Sequence, residues 1–169
     1  SLPGVTIDEK RIVSSTGALA LPKVPKRMLV VGAGVIGLEL AQALHRLGVR
    51  VRLYGRSDRV GPLTDPALQA LARAVFPREL PMTLAVLNMS PTRDGDGVRI
   101  RSTSPDGQVH EEHFEWLLAA TGRRPNVDAL GLAATTLPLD PAGVPVFDRR
   151  TGQIGNAPVF IAGDVLDDR

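Results

Sequence analysis

Arg27 to Val31 (RMLVV) is a short apolar, β-branched run that stops at a glycine, as a strand buried in a parallel sheet does. The period then changes. Ile36, Leu40, Ala43, Leu44 and Leu47 fall on one face of a 3.6-residue helix, and Gly48 stands where that helix stops. Val49 to Tyr54 (VRVRLY) alternates apolar residues with arginine and predicts a second strand, so residues 27–54 read as a βαβ unit. After Gly61-Pro62, a further helix starts with Thr64 or Asp65 as cap and Pro66 in its first turn. Leu68, Leu71, Ala72 and Val75 give it an apolar face, and Pro77 closes it. From Thr83 the period is two. Segments near 83–89, 97–102 and 108–114, separated by Asp-Gly pairs at 94–95, 96–97 and 106–107, predict an antiparallel meander. Trp116 to Ala120 (WLLAA) is again unbroken and apolar, a strand returning to the parallel sheet.

The flanks are different. Residues 1–26 carry prolines at 3, 22 and 25 and no sustained period, and read as an extended lead-in. Beyond Arg123 the chain is loop-rich, with prolines at 125, 138, 141, 145 and 158, until a last strand at Val159 to Ala162. The fold class expected is α/β: a Rossmann-like, three-layer dinucleotide-binding domain with a parallel sheet plus an antiparallel β-meander.

Composition narrows the function. At 169 residues and 43% hydrophobic, the chain has material for one real core. Basic residues number 20 and acidic 18, a net charge of +2 that gives no case for nucleic-acid or membrane binding. No apolar stretch approaches the ~18 residues of a membrane span, and no signal-peptide pattern opens the chain, so a cytoplasmic location is expected. Cysteine is absent, which excludes thiolate zinc sites, cysteine nucleophiles and dithiol chemistry within these residues. His110 and His113 are three apart on a strand, so alternation sends them to opposite faces and argues against a shared metal.

The candidate chemistry lies at Gly32-Ala33-Gly34-Val35-Ile36-Gly37, between a predicted strand and a predicted helix. In that context Gly32 makes the tight turn, Gly34 lets the backbone approach a pyrophosphate, and Gly37 lets helix and strand pack closely. The free amides and positive dipole at the helix N-terminus favour the anion. A turn built for packing only, or a methyl-donor site, are the alternatives for the same glycines. An NAD site expects an acid at the end of the second strand, where it accepts hydrogen bonds from ribose hydroxyls. Gly55 stands there instead. Arg56, with Ser57 and Arg59, can hold a 2′-phosphate, which tilts the cofactor toward NADP; a solvated surface arginine is the other reading of Arg56. Glu39, two residues after Gly37, serves either the helix dipole or the cofactor.

Read together, three ordered motifs resemble one family. STGALALPKVPKRMLVVGAGVIGLELAQALHRLGV, then LLAATGRRPNVDALGL, then VFIAGDV, are similar to the pyridine-nucleotide domain of the flavoprotein disulfide oxidoreductases, the dihydrolipoamide dehydrogenase branch foremost. The resemblance implies that residues 1–26 lead in from a flavin domain, 27–125 bind NAD or NADP, and 126–169 return to the flavin domain. It implies further that Gly122 lies near the dinucleotide, Glu39 beside the nicotinamide, the backbone around Val86 near the adenine, and Asp164 on FAD. Gly55-Arg56 departs from the acid usual in NAD-using members, whereas Gly37 is the glycine usual in them, so the cofactor expectation is split. The family's cysteine pair, FAD motif and dimerisation domain are not among these residues. The expected parent is a homodimeric FAD- and NAD(P)-dependent enzyme, and the chain alone is expected to be inactive. The alternative is a stand-alone NAD(P)H-sensing module that acts through a partner.

Overall fold

The computed structural model describes residues 6–123, 125–163 and 165, and the chain divides into two compact units, Ser1–Gly122 and Arg123–Arg169. The first unit is built on a five-stranded sheet in the order β1-β8-β2-β3-β4, parallel throughout. Its strands are β1 (Ile12–Val13), β2 (Arg27–Val31), β3 (Arg50–Tyr54), β4 (Met82–Thr83) and β8 (Trp116–Ala119). β2 lies at the centre, with Val31 opposite Tyr54 of β3 on one side and Ala119 of β8 on the other.

Each face of this sheet is covered by a different kind of layer. Met28, Val30, Val51, Leu53 and Leu118 pack against α2 (Val35–Arg46) and α3 (Pro66–Glu79). Leu29, Val31, Tyr54 and Leu117 point the other way, onto Val98, Ile100 and Phe114 of the meander. That meander is an antiparallel sheet of β5 (Leu87–Asp94), β6 (Gly97–Thr103) and β7 (Val109–Phe114). β2 is apolar at almost every position because it is buried on both sides: Met28, Leu29 and Val30 have no exposed surface. The three-layer α/β fold expected from the sequence is the one observed.

Several local expectations need correction. The lead-in is not simply extended, since Ile12–Val13 pairs with β8 and Ser15–Leu19 forms a short helix, α1, capped by the Ser14 hydroxyl on the Gly17 amide. Two residues of strand and five of helix are too few to show a period. The segment 83–89 is split, because Met82–Thr83 joins the edge of the parallel sheet and only Leu87 onward enters the meander. α3 runs past Pro77 to Glu79. Of its expected apolar face only Ala72 is buried; Leu68, Leu71 and Val75 are exposed, and Gln69 is buried in their place. In α2 the buried residues are Gly37, Leu38 and Ala41, with Leu40 and Leu44 at the margin, while Ala43 and Leu47 face solvent. Small residues let α2 approach the sheet closely, and a hydrophobicity pattern does not report that.

The second unit has little regular structure among its described residues. It contains two 3-10 turns, Asp128–Leu130 and Leu132–Ala134, and isolated bridges Leu139–Pro145, Phe147–Ile154 and Gln153–Phe160. The strand expected at Val159–Ala162 is reduced to the single bridge at Phe160, whose side chain is exposed.

Candidate dinucleotide site

Three glycines shape the turn from β2 into α2, each for its own reason. Gly32 has φ +123, donates its N–H to the Tyr54 carbonyl at 2.8 Å, and would carry a Cβ only 2.1 Å from the Ala120 carbonyl oxygen. Only glycine permits both that turn and that closeness to the end of β8. A Cβ on Gly37 would lie 1.9 Å from the Gly32 carbonyl oxygen, so this glycine holds the helix against the turn. Gly34, the N-cap of α2, is different: a Cβ there meets nothing within 4 Å. Gly34 lines the cleft at the start of α2, where the first amides of a helix lack intrahelical partners and are suited to an anion.

A cleft of about 290 Å³ opens at this point. The end of β2 supplies Val31, Gly32 and Gly34, the turn after β3 supplies Arg56 and Ser57, and the end of β8 supplies Ala120, Thr121 and Gly122. Met89 of β5 closes it from the meander side. The chain leaves β2 toward β3, while β8 returns on the opposite side, so the cleft lies at the topological switch point of a parallel sheet.

The turn after β3 is tightly braced. A Cβ on Gly55 would meet Leu84 Cδ2 at 2.7 Å and Ala33 Cβ at 3.1 Å, so a larger residue at that position requires the Leu84 side chain to move aside. The Gly55 carbonyl accepts from the Val86 N–H at 3.0 Å and the Ser57 carbonyl from the Ala85 N–H at 2.9 Å. Arg56 is exposed at the cleft and makes no side-chain hydrogen bond or ion pair among the described residues. Tyr54, just before this turn, is buried, and its hydroxyl donates to the Glu112 carboxylate of β7. Burial raises the Tyr54 pKa above its ordinary value, and the neighbouring carboxylate adds to that shift.

Of the residues singled out from sequence, Gly32, Gly34, Arg56, Ser57 and Gly122 meet around the cleft. Ala33 and Gly55 pack behind it, and Gly37 is buried under the turn. Val35, Ile36 and Glu39 lie on α2 outside the lining, and Glu39 is exposed. Arg59 is turned away, donating to the Leu63 carbonyl at 2.6 Å. Val86 is 2% exposed, with its side chain in the core. Asp164 lies outside the described residues. Val31, Ala120, Thr121 and Met89 were missed. The first three stand at strand carboxyl ends beside the switch point, a position that could have named them. Met89 reaches the cleft only because the meander folds over the sheet, and no local signal announces that.

Comparison with known proteins agrees with this geometry. The family described as pyridine nucleotide-disulphide oxidoreductase matches residues 1–169. Dihydrolipoyl dehydrogenase 3 of Pseudomonas putida is 38% identical over 166 residues, covering 97% of this chain and 35% of the relative. The mitochondrial dihydrolipoyl dehydrogenase of Caenorhabditis elegans is 37% identical over 169 residues, covering 98% of this chain and 34% of the relative. The chain thus spans about a third of the length of these curated relatives. Among solved structures, LpdA of Mycobacterium tuberculosis superposes with a TM-score of 0.80 at 28% identity, over 100% of this chain and 36% of that one. The disulfide reductase RclA of Escherichia coli shares the fold, with a TM-score of 0.77 at 22% identity over 98% of this chain and 37% of its own. The glycine turn, the switch-point cleft and the full-length family match lead to one conclusion: this chain belongs to the pyridine nucleotide-disulphide oxidoreductase family.

Proposed function

We propose that residues 27–125 form the nicotinamide-dinucleotide domain of a flavin-dependent oxidoreductase of the dihydrolipoyl dehydrogenase type, with 1–26 and 126–169 as connections to its flavin domain. The observation that carries this is the open cradle at Gly34, set between two close-packed glycines at the mouth of the cleft. The amides of the first turn of α2 receive the pyrophosphate, and the Arg56–Ser57 turn meets the adenosine ribose. Thr121 and Gly122 border the far side of the cleft. The dinucleotide supplies hydride chemistry when bound, and this chain supplies binding and orientation. The complete enzyme carries FAD and works as a homodimer on a disulfide substrate. The 169 residues bind dinucleotide and turn nothing over.

Arg56 tilts the site toward NADPH. The buried, crowded Gly55 provides no carboxylate to repel a 2′-phosphate, and Arg56 has no competing partner among the described residues. A charge-assisted hydrogen bond contributes about 1.5–3 kcal/mol, so Arg56→Ala is expected to weaken NADPH roughly 10–150-fold and to leave NADH unchanged. Calorimetric titration of both nucleotides into the wild-type chain and the variant tests this. Equal or tighter binding of NADH by wild type refutes the NADPH preference, and no binding of either nucleotide refutes the site.

A further inference from the structure

The contact between the parallel sheet and the meander is largely apolar, with a polar group of side chains at the end of β3. Tyr54, 3% exposed, ends β3, and its hydroxyl donates to one carboxylate oxygen of Glu112 on β7. The other oxygen of Glu112 accepts from Arg27 Nη2 at 2.9 Å, from the first residue of β2. Ser102 of β6 is buried as well, 3% exposed. The Arg52 guanidinium lies 5.8 Å over the Tyr54 ring with its Nε buried and unpartnered, and that of Arg27 lies 4.4 Å over Phe114.

Apolar packing alone would hold these layers together; Tyr54 is buried while Glu112 and Arg27 stay partly exposed, and placing a hydroxyl in the core costs desolvation unless it is hydrogen-bonded. What such a cluster adds is direction, since a hydrogen bond sets a distance and an angle where dispersion does not. The position of this one matters, because Tyr54 directly precedes the Gly55–Ser57 turn and its own carbonyl accepts the Gly32 amide. Opposite that turn stands Met89, carried by the meander to which Glu112 belongs.

We infer that Tyr54, latched through its hydroxyl to Glu112, is a positioning residue that holds the Gly55–Ser57 turn in register with the meander and thereby sets the site's discrimination at the ribose 2′ position. The inference rests on the dinucleotide reading of the cleft given above. It does not depend on which nucleotide is preferred. Tyr54→Phe keeps the ring in the core and removes only the latch, so the turn gains freedom and loses selectivity.

The test is calorimetric titration of NADPH and NADH into the wild-type chain, Tyr54→Phe and Glu112→Gln, with a melting curve for each. In Tyr54→Phe the ratio of the two affinities moves toward one by about threefold or more, the effect of losing one hydrogen bond. Glu112→Gln keeps an oxygen for the Tyr54 hydroxyl but gives up the charge opposite Arg27. It is therefore expected to melt lower than wild type while holding the ratio within about twofold. That split separates positioning from bulk stability. Should wild type discriminate and Tyr54→Phe discriminate equally, the latch is refuted and the site stands. A ratio that falls in Glu112→Gln in step with its melting temperature also refutes it, because selectivity would then follow stability alone. Wild type that binds neither nucleotide refutes the site and the latch with it, and wild type that binds both equally refutes the latch while the site stands.

Discussion

Gly34 and Gly37 belong to one motif, yet the structure separates their roles. A methyl at Gly37 collides with the Gly32 carbonyl, whereas a methyl at Gly34 enters free space. Gly37→Ala is accordingly expected to cost about 1–3 kcal/mol of stability through overpacking. Gly34→Ala is expected to leave the melting temperature nearly unchanged and, on the proposed dinucleotide reading, to abolish the shift that NADPH gives, which melting curves run with and without NADPH check. Asp8 is the opposite case, a residue with no motif around it. Its Oδ1 accepts the amides of Lys10, Arg11 and Ile12 at 2.9 Å each, and its Oδ2 accepts from Arg93 Nη1 at 2.7 Å. Burial pushes this carboxyl upward, but the three amides and the guanidinium outweigh it and hold the group far below the usual carboxylate range. Since the folded pKa is depressed, the stabilisation is present above the unfolded value of about 3.9 and is lost as pH falls through and below it. Asp8→Asn is expected to cost about 1–3 kcal/mol at pH 7 and to flatten the acid limb of a stability–pH profile. The glycines were readable because their spacing beside a strand is local, while the partners of Asp8 include a strand 85 residues away.

α3 shows where a periodic pattern misleads. Its cap was readable, and the Asp65 carboxylate accepts the Ala67 and Leu68 amides at 2.8 and 3.0 Å. Of its buried face only Ala72 was readable. Gln69 is enclosed, accepting from the Val60 N–H at 3.0 Å and donating to the carbonyls of Val60 at 3.0 Å and Leu63 at 2.9 Å. It ties the loop after β3 to the helix, so polar complementarity chose the inward residue where hydropathy would have chosen a leucine. Gln69→Leu is expected to lose about 1–3 kcal/mol by stranding buried backbone groups, while Leu71→Lys, at an exposed position, stays within about 0.5 kcal/mol. Denaturant unfolding of the two variants makes the comparison. The sheet–meander contact yields a titration of its own. The Tyr54 pKa is raised by burial and by Glu112. Stability from this group is therefore complete below the unfolded tyrosine value of about 10 and is lost as pH rises above it. Tyr54→Phe removes that alkaline loss, and base titration followed by circular dichroism detects the difference.

All residues lining the cleft fall within the first unit, Ser1–Gly122. A chain of residues 1–122 is expected to bind dinucleotide within a few-fold of the full 169, and calorimetry on the two decides it. What could be read along the chain was the local grammar: an apolar run closed by glycine, a helical period after it, Asp-Gly turns between alternating segments, and three motifs in family order. Those signals depend on neighbours a few residues apart, and they sufficed for the α/β fold and for the glycine turn. Folding alone determined the rest, because it depends on residues far apart in sequence that meet in space. The order of the strands placed the cleft between β2 and β8. The meander laid over the sheet brought Met89 to the cleft wall and Glu112 to Tyr54. Folding also set Leu84 and Ala33 against Gly55, a crowding that no local signal announces. Spacing along a chain carries the period of a helix or strand, but which faces meet is settled only when the layers pack.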